Sequence, residues 1–197
     1  MRFRLGLTGS IGMGKSTTAS LFAAEGCLVW DADAAVHRLY AKGGDAVAVI
    51  QKHLPEAITE GTVCRPALKR MIAEDPGVLA TLESLVHPLV QADRERFIAQ
   101  NPLAIGVFDI PLLFETGGDR EMDGTACVYV SRETQRIRVL ERGTMTEADF
   151  ERILARQMPS EEKCARATWV IETDTIDHTR AQVQAIVQEI REKTSHA

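Results

Sequence analysis

The stretch Gly9-Ser10-Ile11-Gly12-Met13-Gly14-Lys15-Ser16 fits G-x-x-x-x-G-K-[ST], a spacing with a direct chemical meaning. Its glycines let successive backbone N–H groups curl around phosphate oxygens, and the amino terminus of a following helix adds a favourable dipole. Lys15 then reaches the terminal phosphates of a nucleoside triphosphate and Ser16 ligates Mg²⁺, so the cradle runs from Gly9 to Thr17. Three carboxylates stand where such a site can use them: Asp31 and Asp33 in Asp31-Ala32-Asp33, and Asp109 at the end of an apolar run. Cations are concentrated too. Of 17 arginines, seven (Arg132, Arg136, Arg138, Arg142, Arg152, Arg156 and Arg166) fall in the 35 residues from 132 to 166. A planar guanidinium bridges two phosphate oxygens better than an ammonium does, which suits this stretch to closing over a polyphosphate. Its seven acids against eight bases equally describe a solvated helical surface.

These groups need elements to hold them. Phe3 to Thr8 is short, mostly apolar and followed by glycines, as a strand buried in a parallel sheet should be. Lys15 to Glu25 is helical, and Gly26 ends it. Cys27 to Trp30 reads as a second strand, which puts Asp31 and Asp33 at its carboxyl end, the ligand-bearing edge of an open sheet. From Gly43 to about Gln100 the periodicity is helical, cut into short helices by Pro55, Gly61, Pro66, Pro76, Gly77 and Pro88. Further strands are expected over 103–109, 125–130 and 168–171, and further helices over 133–141, 147–157 and 176–192. This alternation predicts an α/β fold with a mostly parallel sheet flanked by helices.

The 197 residues, 45% hydrophobic and 26% charged, suit one unit with an insertion. A net charge of -5 argues against a broad nucleic-acid surface. Cys27, Cys64, Cys127 and Cys164 are too widely spaced for a zinc site or a small disulfide scaffold, and fit a reducing cytoplasm. Met1-Arg2-Phe3-Arg4 leads into glycines rather than an apolar signal core, and no run of about 18 apolar residues predicts a membrane span. No obligate protein partner is evident. There is no Asn-Lys-x-Asp and no Asp-x-x-Gly after the third strand, so a small-molecule kinase is favoured over a regulatory GTPase. A nucleoside monophosphate kinase and a non-catalytic nucleotide-binding module are the competing readings.

Leu7-Thr8 with the glycine loop, Asp31-Ala32-Asp33 with His37 behind it, His87-Pro88, and Asp109-Ile110-Pro111-Leu112-Leu113-Phe114-Glu115 occur in this order. Together they resemble the dephospho-coenzyme A kinase family over nearly the whole chain. The resemblance implies a P-loop kinase fold in a single unit, 1–197, with a helical acceptor-binding insertion over 32–100 and a lid over 138–166. It implies transfer of the γ-phosphate of ATP, with Mg²⁺, to the ribose 3′-hydroxyl of dephospho-CoA, the last step of coenzyme A synthesis. Asp33 takes the role of general base, from its placement as well as from the family motif, with a helix N-cap as its structural alternative. Asp31 either orients Asp33, holds a Mg²⁺ water or merely ends the strand. Asp109 either holds Mg²⁺ through water or serves the following turn. Arg142 resembles the family's lid arginine; Arg65 matches a family position and either binds the acceptor's phosphates or is a surface residue at a helix start; His37 and His87 either contact the acceptor or serve packing and a turn, and Pro111 and Leu112 shape the acceptor cleft. Ser10 and Met13 differ from the residues usual in the family's loop, at variable positions of the motif. Thr168 to Thr173 departs from the family's usual Ala-Asp-x-Val-Ile-x-Asn, where adenine-side contacts belong.

Overall fold

Apolar runs bounded by glycine become the strands β1 (Phe3–Thr8), β2 (Leu28–Asp31), β5 (Ile105–Asp109), β6 (Gly124–Tyr129) and β7 (Trp169–Glu172) in this computed structural model, which describes residues 1–195. They form one sheet in the order β2-β5-β1-β6-β7, with β1 parallel to both β5 and β6, and β6 parallel to β7. Parallel pairing requires crossovers, and the mostly parallel sheet flanked by helices is the architecture expected from the alternation. The chain divides into two compact units: Met1–Trp30 with the residues from Asn101 onward, and Asp31–Gln100.

In the first unit, α1 (Lys15–Ala24) and α9 (Ile176–Ser195) pack on each other beside the sheet. Leu5, Leu7, Phe22, Val107, Val128, Ile171, Val183 and Ile190 form the centre of its core. Leu5 and Leu7 are fully buried, each worth about 1.5–3 kcal/mol of apolar transfer. The remaining helices are α6 (Arg132–Glu141), α7 (Glu147–Leu154) and α8 (Ser160–Arg166). Helix α7 starts with a capping box of Thr146 and Asp149, which explains its sharp beginning. The sequence expectation carried it to residue 157, whereas the chain turns after Leu154. Helix α8, unexpected from the sequence, packs on β6.

The second unit holds α2 (Ala32–Tyr40), α3 (Asp45–His53), α4 (Arg65–Glu74) and α5 (Gly77–Gln100) around Leu39, Ile50, Leu54, Val63, Leu68 and Val86. It is not wholly helical. A small antiparallel hairpin joins β3 (Ile58–Thr59) to β4 (Thr62–Val63) through Glu60 and Gly61, both at positive φ as a tight hairpin turn requires. Pro88 does not divide the helical run either. It lies inside α5, where Leu82, Val86, Leu89 and Val90 keep both sides of the helix packed on the core and offset the lost N–H. No helix among the described residues is long and apolar enough to cross a membrane.

Candidate active site

The loop between β1 and α1 takes its shape from two glycines at positive φ, Gly12 at 78° and Gly14 at 85°. Its peptides are held from outside. The Ile11 N–H donates to Gln157 Oε1 at 3.3 Å, and the Ile11 carbonyl accepts from the buried Gln135 Nε2 at 2.7 Å. The Thr173 hydroxyl donates to the Met13 carbonyl at 2.9 Å, and the Ser10 and Ser160 hydroxyls are 3.0 Å apart. The loop is thus held by side chains outside it, with the exposed Ser16 and Thr17 in the first turn of α1. A Cβ on Gly12 would lie 2.4 Å from Val139 Cγ2. Gly12→Ala is therefore expected to lower the thermal midpoint by about 2–8 °C, from about 1–2 kcal/mol of left-handed backbone cost. It should weaken nucleotide binding in the same preparation, and calorimetry with a titration of a non-hydrolysable ATP analogue reads both.

Lys15 reaches back across the sheet edge and its ammonium pairs with Asp109, which is 2% exposed at the end of β5. The chain then turns through Pro111, whose carbonyl accepts from the Thr8 hydroxyl at 3.1 Å and from Lys163 Nζ at 3.1 Å. Lys163 is fully buried and also pairs with Glu115 Oε1 at 2.8 Å. Burial pushes the Glu115 carboxyl up, but Lys163 and the Met158 N–H more than offset it, and the group sits below its usual range. Leu112 is exposed, while Leu113 and Phe114 are buried.

A cavity of about 270 Å³ opens beside the loop, lined by Gly12, Gly14, Thr17, Arg138, Arg142 and the segment from Thr173 to Ile176. Arg142, at the carboxyl end of α6, is exposed on this cavity. Arg138 is engaged: its guanidinium donates to the Thr173 hydroxyl at 3.2 Å and to the Thr173 carbonyl at 2.7 Å. Arg166 is exposed, lies 4.6 Å over the Phe114 ring and pairs with Asp119 at 3.3 Å. Arg132, Arg136 and Arg152 pair with acids of the same stretch, so part of the arginine cluster is surface charge as its composition allows.

In the second unit the N-cap of α2 is Asp31, whose carboxylate accepts from the Ala34 N–H at 2.8 Å. Asp33 follows as an exposed residue of the first helical turn, so it does not serve as the cap. His37 is exposed in the last turn of α2, and His87 is exposed on α5. Arg65 begins α4 with its guanidinium 5.8 Å from the Tyr40 ring centroid. Burial raises the Tyr40 hydroxyl pKa, and Arg65 partly opposes that.

The family model described as dephospho-CoA kinase matches residues 3–178. The chain belongs to the dephospho-CoA kinase family. A dephospho-CoA kinase of Ruegeria pomeroyi is 61% identical over 197 residues, covering all of both chains. One from Cereibacter sphaeroides is 58% identical over 190 residues, 96% of each. Among solved structures, TT1252 from Thermus thermophilus aligns with a TM-score of 0.83 at 34% identity, covering 95% of this chain and 97% of that one. The dephospho-CoA kinase of Campylobacter jejuni shares the fold, with a TM-score of 0.69 at 22% identity over 96% and 98% of the two chains.

Within this kinase family chain, the first unit brings together Lys15, Asp109 and the Pro111 turn, and it places Arg142 beside Gly12 and Gly14. Asp31, Asp33, His37, Arg65 and His87 belong to the second unit. Sequence reading missed Gln135, Gln157, Lys163 and Thr173, which hold the loop and the segment after β5. Their partners lie 124, 146, 52 and 160 residues away, so no local pattern marks them.

Proposed function

We propose that the chain transfers the γ-phosphate of ATP to the ribose 3′-hydroxyl of dephospho-CoA, giving CoA and ADP in the last step of coenzyme A synthesis. The family match over residues 3–178 carries this reading. Phosphoryl transfer demands an in-line hydroxyl, neutralised phosphate charge and exclusion of water, with little covalent work for the protein.

Gly9 to Thr17 wrap the polyphosphate with backbone N–H groups, and Lys15 exchanges part of its interaction with Asp109 for the β- and γ-phosphates. Ser16 and Asp109 present a hydroxyl and a carboxylate, the hard oxygen donors that Mg²⁺ takes, and they are the residues that would hold it. When bound, the metal neutralises charge on the β- and γ-phosphate oxygens. Arg142 adds a guanidinium from the lid side, and the segment from Thr173 to Ile176 receives the base. Asp33 accepts the proton of the attacking hydroxyl, while Asp31 keeps the start of α2 in place through its cap. Arg65, His37 and His87 in the second unit, and Pro111 and Leu112 in the first, are each assigned to the acceptor by the family resemblance. A cytoplasmic location accords with four free thiols.

The test supplies the purified protein with MgATP and either dephospho-CoA or a panel of nucleoside monophosphates. ADP release should depend on dephospho-CoA, and mass spectrometry should find one added phosphoryl group at the 3′ position. Turnover of a nucleoside monophosphate without turnover of dephospho-CoA would replace this reading with the competing kinase.

A further inference from the structure

Lys163 has a placement that stability alone does not explain. Its side chain is fully buried on α8, its ammonium pairs with Glu115 Oε1 at 2.8 Å and donates to the Pro111 carbonyl at 3.1 Å. The other Glu115 oxygen, Oε2, is buried without a hydrogen-bond partner. Removing two charges from water costs several kcal/mol per ion, on the order of what their attraction returns, so an apolar pair of similar volume is commonly as stable.

What the pair adds is geometry, and its bonds end beside the phosphate loop. The Pro111 carbonyl also accepts from Thr8, the residue before Gly9. Pro111 itself follows Asp109, the partner of Lys15, by two residues. Glu115 Oε1 accepts the Met158 N–H at 3.0 Å, and the preceding Gln157 accepts the Ile11 N–H of the loop. One ammonium therefore joins the entry to the loop, the exit from β5 and the carboxyl-terminal root of the arginine-rich segment. Arg166 over Phe114 and Cys164 Sγ, 3.8 Å from Cys127 Sγ, seat α8 at the same place.

We propose that Lys163 is a positioning residue for phosphoryl transfer, acting through Glu115 and Pro111 to hold the loop, Asp109 and the lid root in register. The inference rests on the kinase reading. The loop's own N–H groups still bind ATP without it, so the loss falls on turnover, because a displacement of about 1 Å can cost about 10²-fold in rate.

The test compares wild type, Lys163→Met and the double variant Lys163→Met/Glu115→Leu by kcat, by KM for ATP and by thermal midpoint. The acceptor is whichever one the wild type phosphorylates. Lys163→Met should lose about 10²-fold in kcat with KM for ATP within about threefold. The double variant, having no unpaired buried charge, should recover the thermal midpoint while kcat stays low. It keeps the test open even if Lys163→Met does not fold. A Lys163→Met kcat within about fivefold of wild type, short of what misplacement costs, overturns the proposal. So does a double variant that recovers turnover together with stability, since the pair would then be structural only. Failure of the wild type on dephospho-CoA with turnover of another acceptor instead overturns the substrate assignment, and leaves Lys163 to be judged on that other acceptor.

Discussion

Asp33→Asn should lower kcat by about 10²-fold or more while ATP affinity stays within about threefold, because Asn keeps the size and an acceptor oxygen but takes no proton at neutral pH. The position makes this a clean substitution. The cap of α2 is supplied by Asp31, whose carboxylate accepts from the Ala34 N–H, so replacing Asp33 leaves that bond intact. What α2 loses is one negative charge in its first turn, worth about 0.3–1 kcal/mol against the helix dipole. The thermal midpoint should therefore change little. Steady-state kinetics with saturating dephospho-CoA and a separate ATP-analogue titration distinguish the two quantities. Turnover within a few-fold of wild type would remove Asp33 from the role of base, and a matching loss of ATP affinity would make it a binding residue. Asp31→Ala should behave differently, with an effect dominated by helix stability, since it removes the oxygen that caps α2, worth about 0.5–2 kcal/mol.

Lys15→Ala should depress kcat/KM for ATP by about 10³-fold, with part of the loss in nucleotide binding, since the group removed is the cation aimed at the transferring phosphates. This substitution also touches the fold. Lys15 pairs with Asp109, which is almost completely buried at the end of β5. Losing a hydrogen bond to a charged group there costs about 1.5–3 kcal/mol, which lowers the thermal midpoint. The double variant Lys15→Ala/Asp109→Asn separates the two effects, because removing the buried negative charge as well should restore much of the stability without restoring turnover. Recovery of both together would mean that Lys15 matters chiefly as the partner of Asp109.

The main strands were legible because a buried parallel strand needs a short apolar run, and Phe3 to Thr8 and the residues before Asp109 and Val130 are short and mostly apolar. The loop was legible because its motif demands glycine at fixed places, and Gly14, one of them, takes up positive φ. Smaller features escaped. The hairpin of β3 and β4 has only two residues per strand, too short for any periodicity to register. Helix α8 has seven residues and buries a lysine, so its inward face is not the apolar stripe by which helices are read. Pro88 was read as a break because local propensity forbids it. Packing of its neighbours in α5 overrides a penalty of about 3 kcal/mol.

The amino-acid sequence by itself marked the groups proposed to do chemistry: a phosphate cradle carrying Lys15 and Ser16, an acidic pair at the end of β2, Asp109 at the end of β5 and arginines before β7. It could do so because each depends on residue types at short, fixed spacings. The tertiary structure decided which of them are held and by what. It gave the cap to Asp31 and left Asp33 exposed, bonded Arg138 to Thr173, laid the exposed Arg166 over Phe114 and left Arg142 on the cavity. It also placed the buried Lys163 beneath the turn at Pro111. Apart from the cap, which is local, those assignments follow from contacts between residues far apart in the chain. Their geometry is fixed only when the sheet brings the strand ends together, and no local spacing encodes it.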